Sequence, residues 1–412
     1  MTTTVSNIYL KSSHAWRFVV FMVFLVVGPS LALLQLKGFH LSVFFLALVG
    51  FLYLIKTKSL DIKQAQLCMV YSVFIGSWFV VHAYLGVIST RYITYLFYFT
   101  FTLAVFYFSF RALITLEKET LFKIIQTFIY VDLFIVMLEV IANQAIFNFY
   151  PLVGSEYQVG SAFWSNMNTN ATALILFNTS LYFLNFKRAF YVNTIPLMVL
   201  SLVVDAKLCF IAATAQIVLT QMLASGLARV IFITSLAVVI PIIVIVFQQQ
   251  LNYVIYTFYQ ALDFLSNTEA LEAIVSSGNM FSVAIRAFAL SEMLNLVSEF
   301  SILNWVFGIG FGNINISFVN NEWGGLIEYF APHLFYLEMT IYAGINYYIF
   351  YFLVMKIIGG RLAWRSMLIA CPTLGSVIAI SSAVYFLPLY FFLAVLVYWE
   401  YQQLNKETLN AK

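Results

Sequence analysis

The sequence predicts an all-α integral membrane protein of about twelve transmembrane helices, and three observations lead to this prediction. Of the 412 residues, 63% are hydrophobic and 9% are charged, whereas a soluble domain carries about 25% charged residues. The apolar residues form runs long enough for a helix to cross a hydrocarbon core of about 30 Å. The Lys and Arg residues fall mostly in alternate connections between these runs, as expected for a polytopic membrane protein.

Twelve apolar runs are predicted to be helices. They lie at residues 16–36, 40–55, 65–88, 92–112, 121–142, 170–186, 189–204, 206–224, 228–247, 333–357, 366–382 and 386–401. The first run lacks a small-residue cleavage site after a short apolar core, so we interpret it as a signal anchor that stays in the protein. Very short turns near Asp205 and Tyr385 join two of the helix pairs.

The placement of the basic residues predicts the orientation of the chain. With the N-terminus in the cytoplasm, sixteen of the 20 Lys and Arg residues lie on the inner side. The outer side receives Lys37, Arg91, Lys207 and Arg286. Because cytoplasmic loops carry an excess of Lys and Arg, both termini are predicted to be cytoplasmic.

Two long segments, residues 143–169 and 248–332, are predicted to lie on the outer side. The second divides the chain into nine helices (1–247), a large outer, periplasmic loop (248–332) and three helices with a cytoplasmic tail (333–412). Within that loop, residues 253–275 and 280–300 mix apolar and acidic residues at helical spacing. This pattern predicts amphipathic helices lying over the outer mouth of the bundle, and a small soluble cap is the alternative.

Composition excludes several other classes of protein and site. The net charge of +3 comes without a basic stripe, so no nucleic-acid partner is expected. Cys68, Cys209 and Cys371 are far apart within apolar runs, which predicts free thiols and no cysteine metal site. We expect no bound metal and no cofactor.

Three of the outer cations are candidates for binding phosphate. Arg91 lies at the outer end of the third predicted helix, Lys207 begins the eighth, and Arg286 lies within residues 280–300. Guanidinium groups bind phosphate oxygens bidentately, and cations at the depth of the lipid headgroups suit a lipid diphosphate. The alternatives are a snorkelling Arg91, a local ion pair of Lys207 with Asp205, and a solvent-facing Arg286.

Acidic residues inside the predicted spans form a second group of candidates. Asp132 and Glu139 lie seven residues apart in the fifth predicted helix, and Glu338 lies in the tenth. Ionisable residues within a membrane are functional candidates by default. A buried structural role, a proton relay and a catalytic or sugar-binding carboxylate remain open. His333 is a candidate general base because imidazole titrates near neutral pH, and an interfacial histidine without a role is the alternative.

Four stretches between residues 160 and 350 carry a resemblance to a known family. They are GSAFWSNMNTNATALILF from Gly160, VVDAKLCFIAA from Val203, NWVFGIGFGN ending at Asn313, and APHLFYLEMTIYAGI from Ala331. Their order, spacing and topology resemble the Wzy-type O-antigen polymerase and O-antigen ligase superfamily of bacterial envelopes. The chain departs from that pattern in having Lys207 where arginine is common, Asp205 where serine is common, and Leu334 where an asparagine often follows the histidine.

The resemblance implies a GT-C-like glycosyltransferase in the bacterial inner membrane, acting without a metal. It implies a polyprenyl-diphosphate-linked glycan as donor and a sugar hydroxyl of a second lipid-linked repeat unit as acceptor. Arg286, with Arg91 or Lys207, would hold the diphosphate and stabilise its departure. His333, or an acid such as Glu328 or Glu338, would orient or deprotonate the acceptor.

The remaining implications concern positioning residues and partners. Asn166, Asn168 and the glycines Gly308, Gly310 and Gly312 would position the sugar or the loop. The implied partners are the lipid-linked oligosaccharide, membrane lipid and a chain-length regulator protein. An O-antigen ligase of the same architecture is an alternative. A flippase or transporter is another, although we would expect it to have two related halves.

Overall fold

The computed structural model describes most of the chain after residue 61 and is almost entirely helical there. The described residues are 62–144, 146, 159–162, 167–204, 206–223, 226, 281–314, 316, 318–320, 325–327, 334–380 and 386–410. The prediction of an all-α chain is right for these residues apart from one short antiparallel hairpin, in which β1 (Phe318–Asn320) pairs with β2 (Gly325–Ile327).

Thirteen α-helices and one 3₁₀ turn, Val377–Ala379, lie within the described ranges. The helices in chain order are α1 Ile62–Tyr84, α2 Thr90–Thr115, α3 Lys118–Ala142, α4 Met167–Phe183, α5 Lys187–Val203, α6 Lys207–Met222, α7 Phe281–Ser298, α8 Ile302–Phe307, α9 Phe335–Ala343, α10 Asn346–Gly359, α11 Trp364–Ile369, α12 Cys371–Ser376 and α13 Leu387–Asn410.

Most of the predicted helices that fall on described residues are confirmed to within a few residues. Helices α1 to α6 match the six predicted runs between residues 65 and 224, and α7 matches the loop helix predicted at 280–300. Helix α13 begins at the predicted position and continues nine residues further, to Asn410. The helices predicted at 16–36, 40–55, 228–247 and 253–275 lie outside the described residues.

The tenth predicted helix, 333–357, is wrong as a single helix. The chain breaks at Gly344 into α9 and α10, which are bent by 100° relative to each other. Gly344 ends α9 with a φ of 67°, a left-handed conformation that glycine adopts without a steric penalty. Hydrophobicity alone does not reveal such a break, because the helices on both sides of it, α9 and α10, are apolar.

The eleventh predicted helix, 366–382, is also divided. Helix α11 ends at Ile369, and α12 begins at Cys371 with Pro372 in its first turn. Proline lacks a backbone N–H and clashes with the preceding turn, so it favours the start of a new helix over the interior of a continuous one.

Three of the described helices are long and apolar enough to cross a membrane: Ala65–Tyr84, Thr90–Thr115 and Lys118–Ala142. The bent pair α9 and α10 forms a fourth if it counts as one span. Helix α3 buries two acidic residues among apolar ones and also exposes apolar side chains: Asp132 and Glu139 are fully buried, whereas Phe134 is 55% and Ile141 74% exposed. These helices are those of a helical membrane protein.

Helix α13 lies at the centre of the bundle. Nearly every residue from Leu387 to Tyr398 is buried, as expected for a helix that is apolar on all sides. Its main neighbours are α2 and α4, and it also contacts α10 and α11. A cluster of aromatic rings forms where Trp78 meets Phe99 and Phe311 edge to face, at centroid distances of 5.2 and 5.5 Å. This aromatic cluster includes Phe311 of the glycine-rich loop, residues 308–312.

Helices α4 and α13 run in the same direction. The ring centroids of Phe177 and Phe391 are 5.6 Å apart, and those of Phe183 and Trp399 are 5.8 Å apart. Residue numbers therefore increase together along the two helices. The start of α4 lies at the same end of the bundle as the start of α13.

Helix α2 is parallel to α13 as well. Thr102 and Tyr390 both contact Tyr351, through a 2.9 Å hydrogen bond and a ring contact at 5.5 Å. Further along, Phe110 meets Tyr401 at 6.0 Å. The first turns of α2 and α4 consequently lie at one end of the bundle, which the distribution of basic residues predicts to be the outer end.

Candidate functional site

The glycine-rich loop and the break between α9 and α10 cross each other in direct backbone contact. We call this region, residues 308–312 with Gly344, the glycine crossing. Gly308 and Gly344 both have a positive φ, of 76° and 67°. A Cβ on Gly308 would overlap the carbonyl of Tyr342, and a Cβ on Gly344 would overlap the carbonyl of Val306. Glycine is therefore required at both positions for close approach as well as for conformation.

The crossing satisfies the carbonyl groups that the helix break leaves without partners. The N–H of Ile309 donates to Ile341 O at 2.8 Å, and that of Gly310 to Tyr342 O at 3.2 Å. The indole of Trp78 donates to Ala343 O at 2.9 Å. The last carbonyls of any helix need partners from outside it. Here the loop and α1 supply them, so the break is a built feature of the fold.

His82 joins the end of α1 to the same loop. Its Nε2 lies 2.9 Å from the Phe307 carbonyl, and its Nδ1 lies 3.0 Å from the Tyr92 hydroxyl. A carbonyl oxygen can only accept, so Nε2 carries the proton and Nδ1 accepts from Tyr92. Through these two hydrogen bonds, the histidine links α1 to α2 and to the glycine crossing.

Arg91 and Glu338, both predicted site residues, come together at the crossing. The guanidinium carbon of Arg91 lies 5.9 Å from the centre of the Tyr95 ring. A Cβ on Gly312 would lie 2.9 Å from Arg91 Cγ, so glycine leaves room for this side chain. The Tyr342 hydroxyl lies close enough to the Glu338 carboxylate and to Arg91 to interact electrostatically with both. The crossing thus carries a cation, a carboxylate and a phenol in one group.

Helix α7 places another predicted residue nearby. It packs against α9, the helix that carries Glu338. Arg286 lies in the first half of α7, and its side chain lies outside the described atoms. The structure therefore brings the helices of Arg286 and Glu338 into contact.

A second group of polar residues lies where α3, α4 and the start of α6 meet. We call Asp132, Glu139, Ser161 and Asn170 the carboxylate cluster; all four are buried. The Glu139 carboxylate accepts three backbone N–H groups, from Ile146 at 3.0 Å, Gly160 at 2.9 Å and Ala162 at 3.1 Å. The segment 159–162 is thereby tied to α3 through one side chain.

Asp132 and Asn170 form the other half of the carboxylate cluster. Asn170 Nδ2 donates to Asp132 Oδ1 at 2.9 Å and to Gly160 O at 3.1 Å. Asp132 Oδ2, Asn170 Oδ1 and Ser161 Oγ are buried and have no hydrogen-bond partner among the described residues. Such atoms are rare in folded proteins and call for an explanation.

Two stretches that the sequence singled out meet beside the carboxylate cluster. Cys209 Sγ lies 3.8 Å from the carbonyl of Asn168 and 3.3 Å from the hydroxyl of Thr172. These contacts hold the start of α6, which begins at Lys207, against the start of α4. Asn168 therefore contributes its backbone here, and the side chain of Lys207 lies outside the described atoms.

Apart from Arg286 on α7, the predicted residues divide into three sets. Arg91, Glu338 and the glycines 308, 310 and 312 lie together at the crossing, whereas Asn168 and the helix of Lys207 lie together at the carboxylate cluster. Asn166, Glu328 and His333 lie outside the described residues. Arg91 belongs to the first turn of α2, not to the end of the preceding helix.

Several residues of both groups were missed by the sequence analysis. Asn170 and Ser161 were quoted within one stretch but not singled out. Asn170 lies on α4 and the two acids lie on α3, so only the packing of these two helices brings them together. His82 could have been found, because an ionisable residue within a predicted span is a candidate by itself.

At the opposite end of the bundle, Arg361 forms ion pairs with two glutamates. Arg361 Nε donates to Glu400 at 2.9 Å and its Nη1 to Glu407 at 3.0 Å. Glu400 also accepts the Ser366 N–H at 3.0 Å, which ties α11 to α13. Arg361 is held by two carboxylates within the protein, so an Arg361 variant can serve as the control for an Arg91 variant.

No protein-family model, curated protein or solved structure matches this chain, so its chemistry is inferred from the glycine crossing and the carboxylate cluster.

Proposed function

We propose that this chain is a polymerase of polyprenyl-diphosphate-linked oligosaccharide repeat units, such as those of O-antigen in lipopolysaccharide biosynthesis. The protein would cross the bacterial inner membrane about twelve times, in a GT-C-like arrangement with both termini in the cytoplasm. Its donor would be a growing glycan on undecaprenyl diphosphate, and its acceptor a sugar hydroxyl of a second lipid-linked unit.

The observation that supports this proposal best is the grouping of Arg91, Glu338 and Tyr342 at the glycine crossing. A diphosphate at the depth of the lipid headgroups needs a cation at the end of the bundle. The first turn of α2 places Arg91 there. Stacking on the Tyr95 ring restricts the side chain, so less conformational entropy is lost when the guanidinium binds an anion.

In the proposed reaction the acceptor hydroxyl oxygen attacks the anomeric carbon of the donor. The bond between that carbon and the diphosphate oxygen breaks, and the diphosphate leaves with the electron pair. Arg91, with Arg286 or Lys207, stabilises the charge that develops on the leaving group. The hydroxyl proton passes to a base, for which His333 is our candidate.

Glu338 is better suited to position the site than to take the proton. It is fully buried, and its carboxylate lies beside the Tyr342 hydroxyl. We therefore assign it to orienting Tyr342 and, through electrostatics, Arg91. A conservative Glu338→Gln variant would then retain part of the activity, whereas loss of a catalytic base would reduce activity by about 10² to 10⁴.

The test is a glycan ladder gel from cells that lack the gene, complemented at matched expression with wild type, Arg91→Ala, Arg286→Ala or Arg361→Gln. Deletion should leave core bearing a single repeat unit, and wild type and Arg361→Gln should restore the ladder. Arg91→Ala should fail to restore it, because losing a single charge-stabilising donor slows such reactions by about 10² to 10³.

Two outcomes of this experiment would overturn the proposal. If deletion removes the single-unit band as well, the protein acts as a ligase or flippase. If Arg91→Ala restores a full ladder while it is expressed like the wild type, Arg91 does not hold the diphosphate.

A further inference from the structure

The carboxylate cluster contains buried oxygen atoms that need a positive partner. Asn170 uses both of its amide hydrogens, on Asp132 Oδ1 and Gly160 O. Within the part of the chain that the structure describes, Asn170 Oδ1, Asp132 Oδ2 and Ser161 Oγ remain without a partner. An amide oxygen and an ionised carboxylate oxygen can only accept. Asn170 Oδ1 therefore needs a donor or a cation beside it, and Asp132 Oδ2 needs one unless it carries a proton.

The pairing of the two carboxylates in the cluster indicates a partner with a single positive charge. Both oxygens of Glu139 are occupied by the backbone N–H groups of Ile146, Gly160 and Ala162. Among the described side chains, no Lys or Arg forms an ion pair with Glu139 or Asp132. The free carboxylate oxygen therefore belongs to Asp132, and burying it without compensation is costly.

The donor atoms favour a hard cation. Carboxylate, amide and hydroxyl oxygens suit hard cations, whereas Zn²⁺ and copper prefer nitrogen and sulfur. The described residues hold no group of three His, Cys, Asp or Glu side chains suited to a metal. Ca²⁺ sites typically use several carboxylate oxygens among six to eight ligands. One free carboxylate oxygen with neutral oxygens matches a monovalent ion.

The backbone of the 159–162 segment is shaped to complete the cluster. Gly160 has a φ of 87° and Ala162 a φ of 44°. A residue with a side chain is uncommon in this left-handed region, and such strain persists only where the surroundings fix it. The turn directs the Gly160 carbonyl to Asn170 and buries the Ser161 side chain.

We propose that Asp132, Asn170 and Ser161 form a binding site for a monovalent cation of the size of Na⁺, between α3 and α4. The ion satisfies the three oxygens and the charge of Asp132 at once. It fixes the 159–162 segment and, through the contact between Gly160 and Val204, the junction before α6. The site is enclosed, and none of its three residues is assigned a role in glycosyl transfer, so it stands independently of the proposed function.

The test is thermal unfolding of the purified protein in detergent at pH 8, with Na⁺ replaced by choline at constant ionic strength. The Tm should rise with the logarithm of Na⁺ concentration once the site is half saturated. Asp132→Asn, which keeps the shape of the side chain, should abolish this rise. Ser161→Ala should shift the half-saturating Na⁺ concentration upward by about tenfold, the cost of one lost ligand.

A matched control is available on the same helix. Gln126 and Asn193 form a reciprocal amide pair, with both hydrogen bonds at 2.9 Å, away from the proposed ligands. Gln126→Ala should lower the Tm in every buffer and leave its dependence on Na⁺ unchanged. This variant separates loss of a buried hydrogen bond from loss of the ion.

Three outcomes would overturn the proposal. A wild-type Tm that is equal in Na⁺ and choline, but rises as the pH falls from 8 to 5, would assign the charge to a proton on Asp132. A Na⁺ response that appears only in Lys207→Gln would assign it to the Lys207 ammonium. A response that survives unchanged in Asp132→Asn would place the ion elsewhere.

Discussion

The glycine crossing and the carboxylate cluster lie at the same end of the bundle, but they satisfy their polar groups in different ways. At the crossing, the carbonyls of Ile341, Tyr342 and Ala343 each accept a hydrogen bond from another segment. In the carboxylate cluster Glu139 is equally well satisfied, whereas Asp132 and Asn170 each keep an unpartnered oxygen.

This difference indicates what each region can bind. All the backbone carbonyls named at the crossing have partners, and its side chains carry opposite charges at the end of the bundle. In the proposed reaction the lipid diphosphate binds there. The carboxylate cluster is enclosed, and its unpartnered oxygens fit the small cation proposed above. Substitutions in the two regions should therefore have different consequences.

Gly308→Ala should have the largest effect on stability. The added methyl group would overlap the Tyr342 carbonyl, and alanine at a φ of 76° is strained. Overpacking and strain together should cost about 4 kcal/mol. The yield of monodisperse protein and its Tm in detergent measure this loss.

Gly76→Ala is the control for that substitution. A Cβ at Gly76, inside α1, would meet no atom within 4 Å, and alanine favours a helix by about 0.5–1 kcal/mol. Its Tm should be equal to or above that of the wild type. If Gly308→Ala is as stable as Gly76→Ala, the backbones do not meet as described.

Glu139→Gln should have the next largest effect, and it acts on the carboxylate cluster. The variant amide offers one acceptor oxygen where the carboxylate accepts three N–H groups, and its NH₂ group opposes the donors. Since a hydrogen bond to a charged group contributes about 1.5–3 kcal/mol, a loss of about 3 kcal/mol is expected. Denaturant unfolding followed by tryptophan fluorescence measures it.

Glu119→Gln, an exposed position on the same helix, controls for the change of charge. It should remain within about 0.5 kcal/mol of the wild type. Equal losses in both variants would mean that Glu139 does not hold the 159–162 segment.

His82→Leu should have an intermediate effect, and it tests how the crossing is fixed to α1. Leucine would leave the Phe307 carbonyl and the Tyr92 hydroxyl without their partner. The expected loss of unfolding free energy is about 2 kcal/mol. Tyr92→Phe removes only the hydroxyl that donates to His82 and should cost about 1 kcal/mol. A larger loss in Tyr92→Phe than in His82→Leu would contradict the arrangement.

Ser89→Ala should have the smallest effect. The Ser89 hydroxyl accepts the Tyr92 N–H at 3.1 Å and caps the start of α2, just before Arg91. Loss of an N-cap costs about 1 kcal/mol. If the cap also fixes the first turn for Arg91, the repeat-unit ladder should become fainter while the Tm falls by only a few degrees. An unchanged ladder would limit Ser89 to stabilising the helix.

Much of the helical pattern could be predicted because it depends on local composition. The six runs between residues 65 and 224 are apolar, uninterrupted and bounded by turns, and each one is a helix. The break at Gly344 could not be predicted in the same way, because its cause is the Val306 backbone 38 residues earlier in the chain. Local hydrophobicity carries no information about that contact.

The candidate residues follow the same division. Composition alone places charges such as Arg91, Asp132, Glu139 and Glu338 in or next to apolar runs, where a charge is costly and needs a partner. The neighbours of these charges follow from the packing of the helices: Tyr342 lies beside Glu338, Asn170 donates to Asp132, and three N–H groups donate to Glu139. The physical reason is that burial depends on composition, whereas hydrogen bonds depend on which segments meet.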